Sequence, residues 1–142
     1  MGIRRSVFTE IGCFAPHLQK IKRAVAGMED RELQERYWKA GGQCWYDPSL
    51  VVHADIQPER LQKAYHRRWH HSHGRLHALI RDEEMEQSGF RVLDVPGHVI
   101  RQWFTEAGAE TLALLSLHSD AAFGHEVKRR FSSGFIEQRV FG

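Results

Sequence analysis

The sequence is poor in the features that mark several large protein classes. Only two of its 142 residues are cysteines, Cys13 and Cys44, which is too few for the disulfide framework of a small secreted domain. No apolar run is long enough to span a bilayer. The formal net charge is only +2, so the chain as a whole attracts nucleic acid weakly. We therefore disfavour disulfide-rich secreted, integral membrane and nucleic-acid-binding proteins.

What the sequence does contain is typical of a globular protein. Hydrophobic residues make up 42% of the chain and charged residues 27%, and the length suits a modest domain. The residues after Met1 include no apolar stretch of the kind found in signal peptides. We expect a cytoplasmic protein whose two cysteines are buried or inert thiols in a reducing compartment.

Local patterns predict a mixed first third. A short helix is expected over residues 5–11, and a second helix begins near Glu29 and stops at the glycines 41–42. Two short strands are expected at 43–46 and 50–54, separated by a turn.

The remainder of the chain is predicted to be helical. Pro58 is expected to open a long helix, and two amphipathic helices follow, one over 99–115 and one starting near Ser119. The fold class is therefore α+β, mostly helical. The apolar stripes of the last two helices either pack on each other and on the core, which is the usual case, or lie in a membrane interface.

A stripe of histidines borders the apolar face of the helix after Pro58. It consists of His66, His70, His73 and His77. Spacing of i, i+4 on a helix can hold Zn²⁺ or Cu²⁺, but no carboxylate or cysteine lies on the stripe to support a metal. We prefer the simpler interpretation, a polar border between the apolar face and a basic face.

An acidic pair stands at the start of the second helix. Glu29 and Asp30 could place a fixed carboxylate in a cleft, as a general base requires, or they could only cap the helix. Trp45 lies close by in sequence and could either stack on a sugar ring or belong to the core.

The acidic pair belongs to a longer pattern that resembles a known family. The matching segments are Met1-Gly2-Ile3-Arg4-Arg5-Ser6-Val7-Phe8, Glu10-Ile11-Gly12-Cys13-Phe14, Glu29-Asp30, Glu32-Leu33, Arg36, Ala40-Gly41-Gly42, Tyr46-Asp47-Pro48 and Val51-Val52-His53. Their order is similar to the acceptor side of GT-A glycosyltransferases, above all family 2 enzymes and polypeptide N-acetylgalactosaminyltransferases. The resemblance implies that residues 1–56 are the C-terminal part of a GT-A domain and that residues 57–142 are a helical C-terminal extension.

The resemblance also implies roles for individual residues. Asp30 matches the catalytic base that deprotonates the acceptor hydroxyl in an inverting transfer, and Glu29 matches its partner. His53 matches a ligand of the divalent metal, Mn²⁺ or Mg²⁺, that some members use. Trp45 is a candidate sugar-binding residue beside this site.

A further match lies in the predicted long helix. Arg68 and Trp69 resemble the end of the Gln-x-x-Arg-Trp motif of processive synthases and are candidate substrate-binding residues. Tyr65 occupies the glutamine position, so the motif is incomplete.

The nucleotide-binding features of the family are missing from this sequence. It contains neither an Asp-x-Asp motif nor a glycine-rich phosphate loop. In the intact enzyme we expect a nucleotide-sugar donor, a glycan or lipid-linked acceptor, and peripheral contact with the inner face of the membrane. The chain alone is expected to transfer no sugar and to need no metal. The alternative is a non-catalytic helical module that binds a membrane surface or a partner.

Overall fold

The computed structural model describes residues 2–15, 29–87 and 89–142. This part of the chain is mostly helical and contains one two-stranded sheet, which confirms the predicted α+β, mostly helical class. The described residues divide into two compact units, one ending at Ile56 and one beginning at Gln57. None of the described helices combines the length and the apolar character that crossing a membrane requires.

The described part of the first unit contains two helices, α1 (Arg5–Ile11) and α2 (Glu29–Lys39), as the sequence predicted. Arg36 on α2 connects them, because its guanidinium donates to the backbone oxygens of Ile11 and, at 3.0 Å, of Cys13. The same side chain pairs with Glu32 at 2.8 Å, and this hydrogen bond is the main reason why the pKa of Arg36 is raised. One arginine thus fixes the end of α1 against the middle of α2.

The strands predicted at 43–46 and 50–54 are absent, so this expectation was wrong. Both segments are irregular and mostly exposed. No strand pairs with them within the described ranges, and a lone strand cannot satisfy its backbone polar groups. The turn between them is confirmed: Oδ1 of Asp47 accepts hydrogen bonds from the backbone nitrogen (2.9 Å) and hydroxyl (2.7 Å) of Ser49.

The second unit consists of helices around a small hairpin of strands. In chain order its elements are a 3₁₀ turn (Pro58–Leu61), α3 (Lys63–Ile80), α4 (Glu83–Glu86), β1 (Arg91–Val92), β2 (Val95–Pro96), α5 (Gly97–Leu115) and α6 (Ser119–Phe141). The helix expected from Pro58 is therefore interrupted, because Gln62 has an extended backbone (ψ 142°). The sheet lies in this unit, not in the first third where it was predicted.

Helix α6 packs against both long neighbours, and α3 runs parallel to it. Arg67 donates to Glu126 at 2.7 Å near the start of both helices. Further along, Arg75 donates to Gln138 at 3.2 Å.

Two glycines allow these parallel helices to touch. A Cβ added to Gly74 would overlap the carbonyl oxygen of Phe131. A Cβ added to Gly134 would overlap the carbonyl oxygen of His71. The two backbones are therefore in direct contact where α3 crosses α6.

Helices α5 and α6 form a hairpin joined by residues 116–118. Polar pairs hold its arms together: Glu106 contacts His125 and Glu110 contacts Arg129, both at 2.6 Å. The predicted extents of these two helices are confirmed, and the expectation that the stripe of α6 packs inside the protein is confirmed by Phe135, which is fully buried.

The core lies where α3, β2, α5 and α6 meet. It consists of Ala78, Val95, Val99 and Phe135. Beside it, the almost fully buried Arg139 pairs with Glu86 and with Asp94 (3.0 Å), and its burial lowers its pKa. The described core therefore belongs to the second unit, and among the described residues of the first unit only Val7 and Leu33 are buried apolar residues.

Candidate functional site

The first unit contains a cleft of about 550 Å³. Three stretches of chain form its walls: the N-terminal residues and α1, the middle of α2, and the irregular segment after α2. The lining residues are Gly2, Ile3, Arg4, Val7, Leu33, Gln34, Tyr37, Gln43, Cys44, Trp45, Tyr46, Asp47 and Leu50. Its size is that of a small-molecule site, and its wall mixes aromatic rings with a few polar groups.

One face of α2 connects this cleft to the acidic pair. Leu33, Gln34 and Tyr37 line the cleft from α2. Asp30 precedes them by three, four and seven residues, which is the spacing that places side chains on one face of a helix. Asp30 is exposed at the N-terminal end of this face, one turn from the cleft wall.

The glycines after α2 position Tyr37. Gly41 has φ +83°, a left-handed conformation that suits glycine and ends the helix. A Cβ on Gly42 would overlap the ring of Tyr37, and the backbone nitrogen of Gly42 donates to the carbonyl oxygen of Tyr37 at 2.9 Å. The Ala-Gly-Gly segment thus lets the chain fold closely over this cleft residue.

Two aromatic side chains stand out on the opposite wall. Trp45 is 87% exposed and Tyr46 is 90% exposed, so neither belongs to a core. The core alternative for Trp45 was therefore wrong, and its role in sugar binding stays a prediction. Beside them, hydrogen bonds from Ser49 lower the pKa of Asp47 and keep this carboxylate ionised.

The acidic pair itself has unequal surroundings. Oδ1 of Asp30 accepts a hydrogen bond from the backbone nitrogen of Arg31 at 2.8 Å, so the carboxylate satisfies one amide of the first helical turn. Glu29 is half-buried, and its Oε2 is buried without a hydrogen-bond partner among the described residues. The hydrogen bond to Arg31 accounts for one oxygen of Asp30, and both acids lie in the first turn of α2, where negative charge is favourable. Gly27 and Met28, which precede the pair, lie outside the described residues.

His53 lies in the exposed irregular segment after the cleft. Within residues 2–15, 29–87 and 89–142, no group of three or more His, Cys, Asp or Glu side chains is arranged to hold a metal ion. His53 and its described neighbours thus do not by themselves fit the Mn²⁺ or Mg²⁺ site that the resemblance implies, and we derive no catalytic step through such a metal.

The two other predicted substrate-binding residues lie in the second unit. Arg68 and Trp69 are on α3, Arg68 exposed and Trp69 half-buried. The indole of Trp69 stacks on the ring of His73, with centroids 4.5 Å apart and planes at 17°.

The histidine stripe is more buried than the predicted polar border at the surface would be. His77 is buried, and its Nδ1 lies 2.9 Å from Oδ2 of the buried Asp82. Sequence reasoning missed Asp82 because it follows the end of α3 and is outside the helical spacing. The left-handed backbone of Arg81 (φ 52°) turns the chain back at this point, which no periodicity reports.

The cysteines differ from expectation as well. Both Cys13 and Cys44 are free thiols, and both are exposed, so of the two alternatives, buried or inert, the first was wrong. Cys44 lines the cleft between Gln43 and Trp45 and is a natural position for a reporter group.

Comparison of the chain with models of known protein families, with curated proteins and with solved structures gave no match. The resemblance to glycosyltransferases therefore rests on the motifs of the sequence, and the geometry of the cleft is independent of it.

Proposed function

We propose that the first unit is the acceptor-binding part of a nucleotide-sugar-dependent glycosyltransferase similar to family 2. In this proposal the cleft binds a glycan or lipid-linked acceptor, and Asp30 acts on its hydroxyl group. The donor is bound by groups outside this sequence, which contains no Asp-x-Asp motif. The observation that carries the proposal is the shared face of α2, on which Asp30 lies one helical turn before the residues that line the aromatic cleft.

The role of each residue follows from its surroundings. Asp30 is exposed, and one of its oxygens is held by a backbone amide, so the carboxylate has a fixed orientation. A general base must be fixed within hydrogen-bond reach of the hydroxyl that it deprotonates. The proton moves from the acceptor hydroxyl to Asp30 as the oxygen forms its new bond to the anomeric carbon and the nucleotide diphosphate leaves. Glu29, half-buried next to it, orients the acceptor or Asp30.

The exposed rings of Trp45 and Tyr46 supply the binding surface. Aromatic rings offer a large apolar contact at low cost in conformational entropy, and they suit the C–H faces of sugar rings. Gln34, Gln43 and Asp47 add hydrogen-bonding groups along the wall of the same cleft.

Acceptor binding can be tested on the chain itself. We expect oligosaccharides from a glycan panel to shift the NMR signals of the Trp45 indole, and Trp45→Ala to lose this binding. Trp38→Ala is the matched control, because Trp38 is 52% exposed on α2 but does not line the cleft. Equal loss in both variants, or no glycan binding by the unaltered chain, would remove the cleft from the proposal.

The catalytic step requires a donor site. With nucleotide sugar and acceptor, the purified chain alone is expected to show no turnover. In an enzyme completed with a donor-binding half, Asp30→Asn is expected to lower turnover by roughly 10²–10⁴-fold and to leave donor binding unchanged. Asp55→Asn, in the exposed segment after the cleft, is the control. Full turnover by the Asp30 variant would exclude this residue as the base.

A second candidate function is favoured by the tip of the α5–α6 hairpin. The leucines there are 57–91% exposed: Leu112 66%, Leu114 57%, Leu115 77% and Leu117 91%. Clustered exposed apolar side chains mark interaction sites. Lys63 and Asp120, at the start of α6, form an ion pair at 3.9 Å beside this tip. Exposed leucines beside polar groups suit a membrane interface.

Sedimentation with phosphatidylserine vesicles tests this second function. We expect the chain to bind the vesicles and Leu115→Asp/Leu117→Asp to abolish binding. Phe141→Asp, which changes an 83% exposed side chain at the far end of α6, should bind as the unaltered chain does. Vesicle binding that survives the double substitution contradicts a role for the tip.

A further inference from the structure

The rings of His73 and His77 meet between α3 and α6. Their Nε2 atoms are 3.2 Å apart, one helical turn from each other on α3. The ring of Phe131 on α6 packs against both, with centroids at 6.0 Å from His73 and 5.3 Å from His77. Trp69 covers the outer face of His73 by stacking. The two nitrogens therefore meet at hydrogen-bonding distance among aromatic side chains.

Asp82 lies against the other ring nitrogen of His77. Its Oδ2 lies 2.9 Å from Nδ1 of His77, and both residues are buried. Asp82 is itself held in place, because its Oδ1 accepts from the backbone nitrogen of Glu84 at 3.0 Å. When Nδ1 carries the ring proton beside this carboxylate, the lone pair of the neutral ring is on Nε2. Nε2 of His77 is thus presented toward His73.

This arrangement matches the preferences of borderline divalent metals. Imidazole nitrogens bind Zn²⁺ at about 2.0–2.1 Å, so two of them on a tetrahedral ion are about 3.3–3.4 Å apart. The observed separation of 3.2 Å is close to that value. A carboxylate that accepts from the other nitrogen of a ligating histidine is the usual support of such a ligand.

We propose that His73 and His77 form a two-histidine site for Zn²⁺ or Cu²⁺, with Asp82 orienting His77. No third His, Cys, Asp or Glu among the described residues completes a group of three. The site would therefore leave coordination positions open for water or a small ligand. It uses other residues than the metal site that the glycosyltransferase resemblance implies, because its ligands lie on α3 and His53 does not.

The same helix provides a matched control. His66 and His70 are also four residues apart, and the ring of His66 packs against Phe123 of α6 with centroids at 6.4 Å. Within the described ranges neither of them pairs with a carboxylate. If spacing alone were sufficient, this pair would bind a metal as well as His73 and His77 do.

The test is calorimetric titration of the chelator-treated chain with Zn²⁺, and electron paramagnetic resonance with Cu²⁺. We expect one tight ion per chain, with nitrogen hyperfine structure in the Cu²⁺ spectrum. His66→Gln/His70→Gln should bind within about twofold of the unaltered chain. His73→Gln/His77→Gln should lose the site, and Asp82→Asn should bind about 10–100-fold more weakly.

Folding of the variants is checked by circular dichroism. If the double variant is unfolded, the single His73→Gln variant, which leaves the buried His77–Asp82 pair intact, replaces it. Zn²⁺ should also raise the unfolding temperature of the unaltered chain and not that of His73→Gln, because a ligand stabilises only the state that binds it. Unchanged binding by His73→Gln, or equal losses for the two histidine pairs, would overturn the proposal.

Discussion

The two units of the chain differ in how many of their apolar side chains are buried and how many are exposed. In the first unit Val7 and Leu33 are the buried apolar residues of the described part, while Trp45 and Tyr46 point into solvent beside a cleft. The second unit has a larger core, close helix contacts and several ion pairs. The acidic pair and the segments after it that resemble glycosyltransferases thus lie where few apolar side chains are buried. Residues in loops on a scaffold are more often kept for binding and chemistry than for packing.

The largest effect should come from the core of the second unit. Phe135→Ala removes a fully buried ring and is expected to lower the free energy of unfolding by about 3–5 kcal/mol. Phe141→Ala, on the same helix but 83% exposed, should change it by less than about 0.5 kcal/mol. Urea unfolding followed by circular dichroism measures both. Similar losses in the two variants would contradict the described core.

The substitution Leu33→Ala tests whether the stability of the first unit depends on its few buried apolar residues. Leu33 is 2% exposed, and we expect a loss at the lower end of the usual range, about 2–3 kcal/mol, because few buried neighbours surround it. Hydrogen exchange of the α2 amides should become at least about 30-fold faster. Leu50→Ala, which changes a 67% exposed residue of the same cleft, should leave exchange unchanged. Slow exchange in the Leu33 variant would show that the cleft is held by other contacts.

Disrupting the contact between α3 and α6 should cause a smaller loss in the free energy of unfolding. Gly134→Ala forces the two backbones apart and should destabilise the second unit by about 1–3 kcal/mol. Gly124→Ala on the same helix meets nothing within 4 Å and should be neutral or stabilise by up to about 1 kcal/mol. The sign of the shift in unfolding temperature distinguishes the two variants. Stabilisation of the protein by Gly134→Ala would contradict this contact.

The smallest effect concerns an ion pair and its dependence on pH. The hydrogen bond from Arg67 is the main reason why the pKa of Glu126 is lowered. A lowered pKa in the folded state means that the pair stabilises the protein above the ordinary glutamate pKa of about 4.3 and that this stabilisation is lost as the pH falls through the lowered value. Glu126→Gln should therefore lower the unfolding temperature at pH 7.

The same comparison at low pH completes this test. As the pH falls below the lowered pKa of Glu126, the unfolding temperatures of Glu126→Gln and the unaltered chain should converge, since Glu126 is then protonated in both states. Glu84→Gln, an exposed residue of α4, should show no such pH-dependent difference. A deficit of Glu126→Gln that is constant from pH 7 to below this lowered pKa would mean that charge is not its cause.

Sequence patterns were sufficient for the helices and insufficient for the strands. Helices α1, α2, α5 and α6 follow from apolar spacing and from helix-ending signals such as Gly41, which are local properties. The hairpin of β1 and β2 was missed because its strands have two residues each and its turn uses Leu93 and Asp94 at positive φ, without glycine. Whether a segment such as 50–54 becomes a strand depends on a partner, and no local pattern reports one.

The candidate site was accessible from the sequence only in part. The motif indicated Asp30 as a site residue and the Ala-Gly-Gly segment at 40–42 as part of the same site. The cleft itself depends on how α1, α2 and the following segment pack together, which the motif does not report. Likewise the spacing of His73 and His77 was visible, while the support from Asp82 depends on the chain reversal at Arg81. Long-range contacts of this kind are tertiary properties.

The glycine contact between α3 and α6 also selects one alignment of these helices. Close approach is possible only where both backbones lack a Cβ, and Gly74 and Gly134 meet this condition together. Sliding α3 by one turn would bring His70 or Ala78 to the crossing, and each carries a Cβ that has no room there. The alignment that remains is the one that sets His73 and His77 beside Phe131. The absence of a Cβ atom at Gly74 and at Gly134 thus determines where the histidine pair lies along α6.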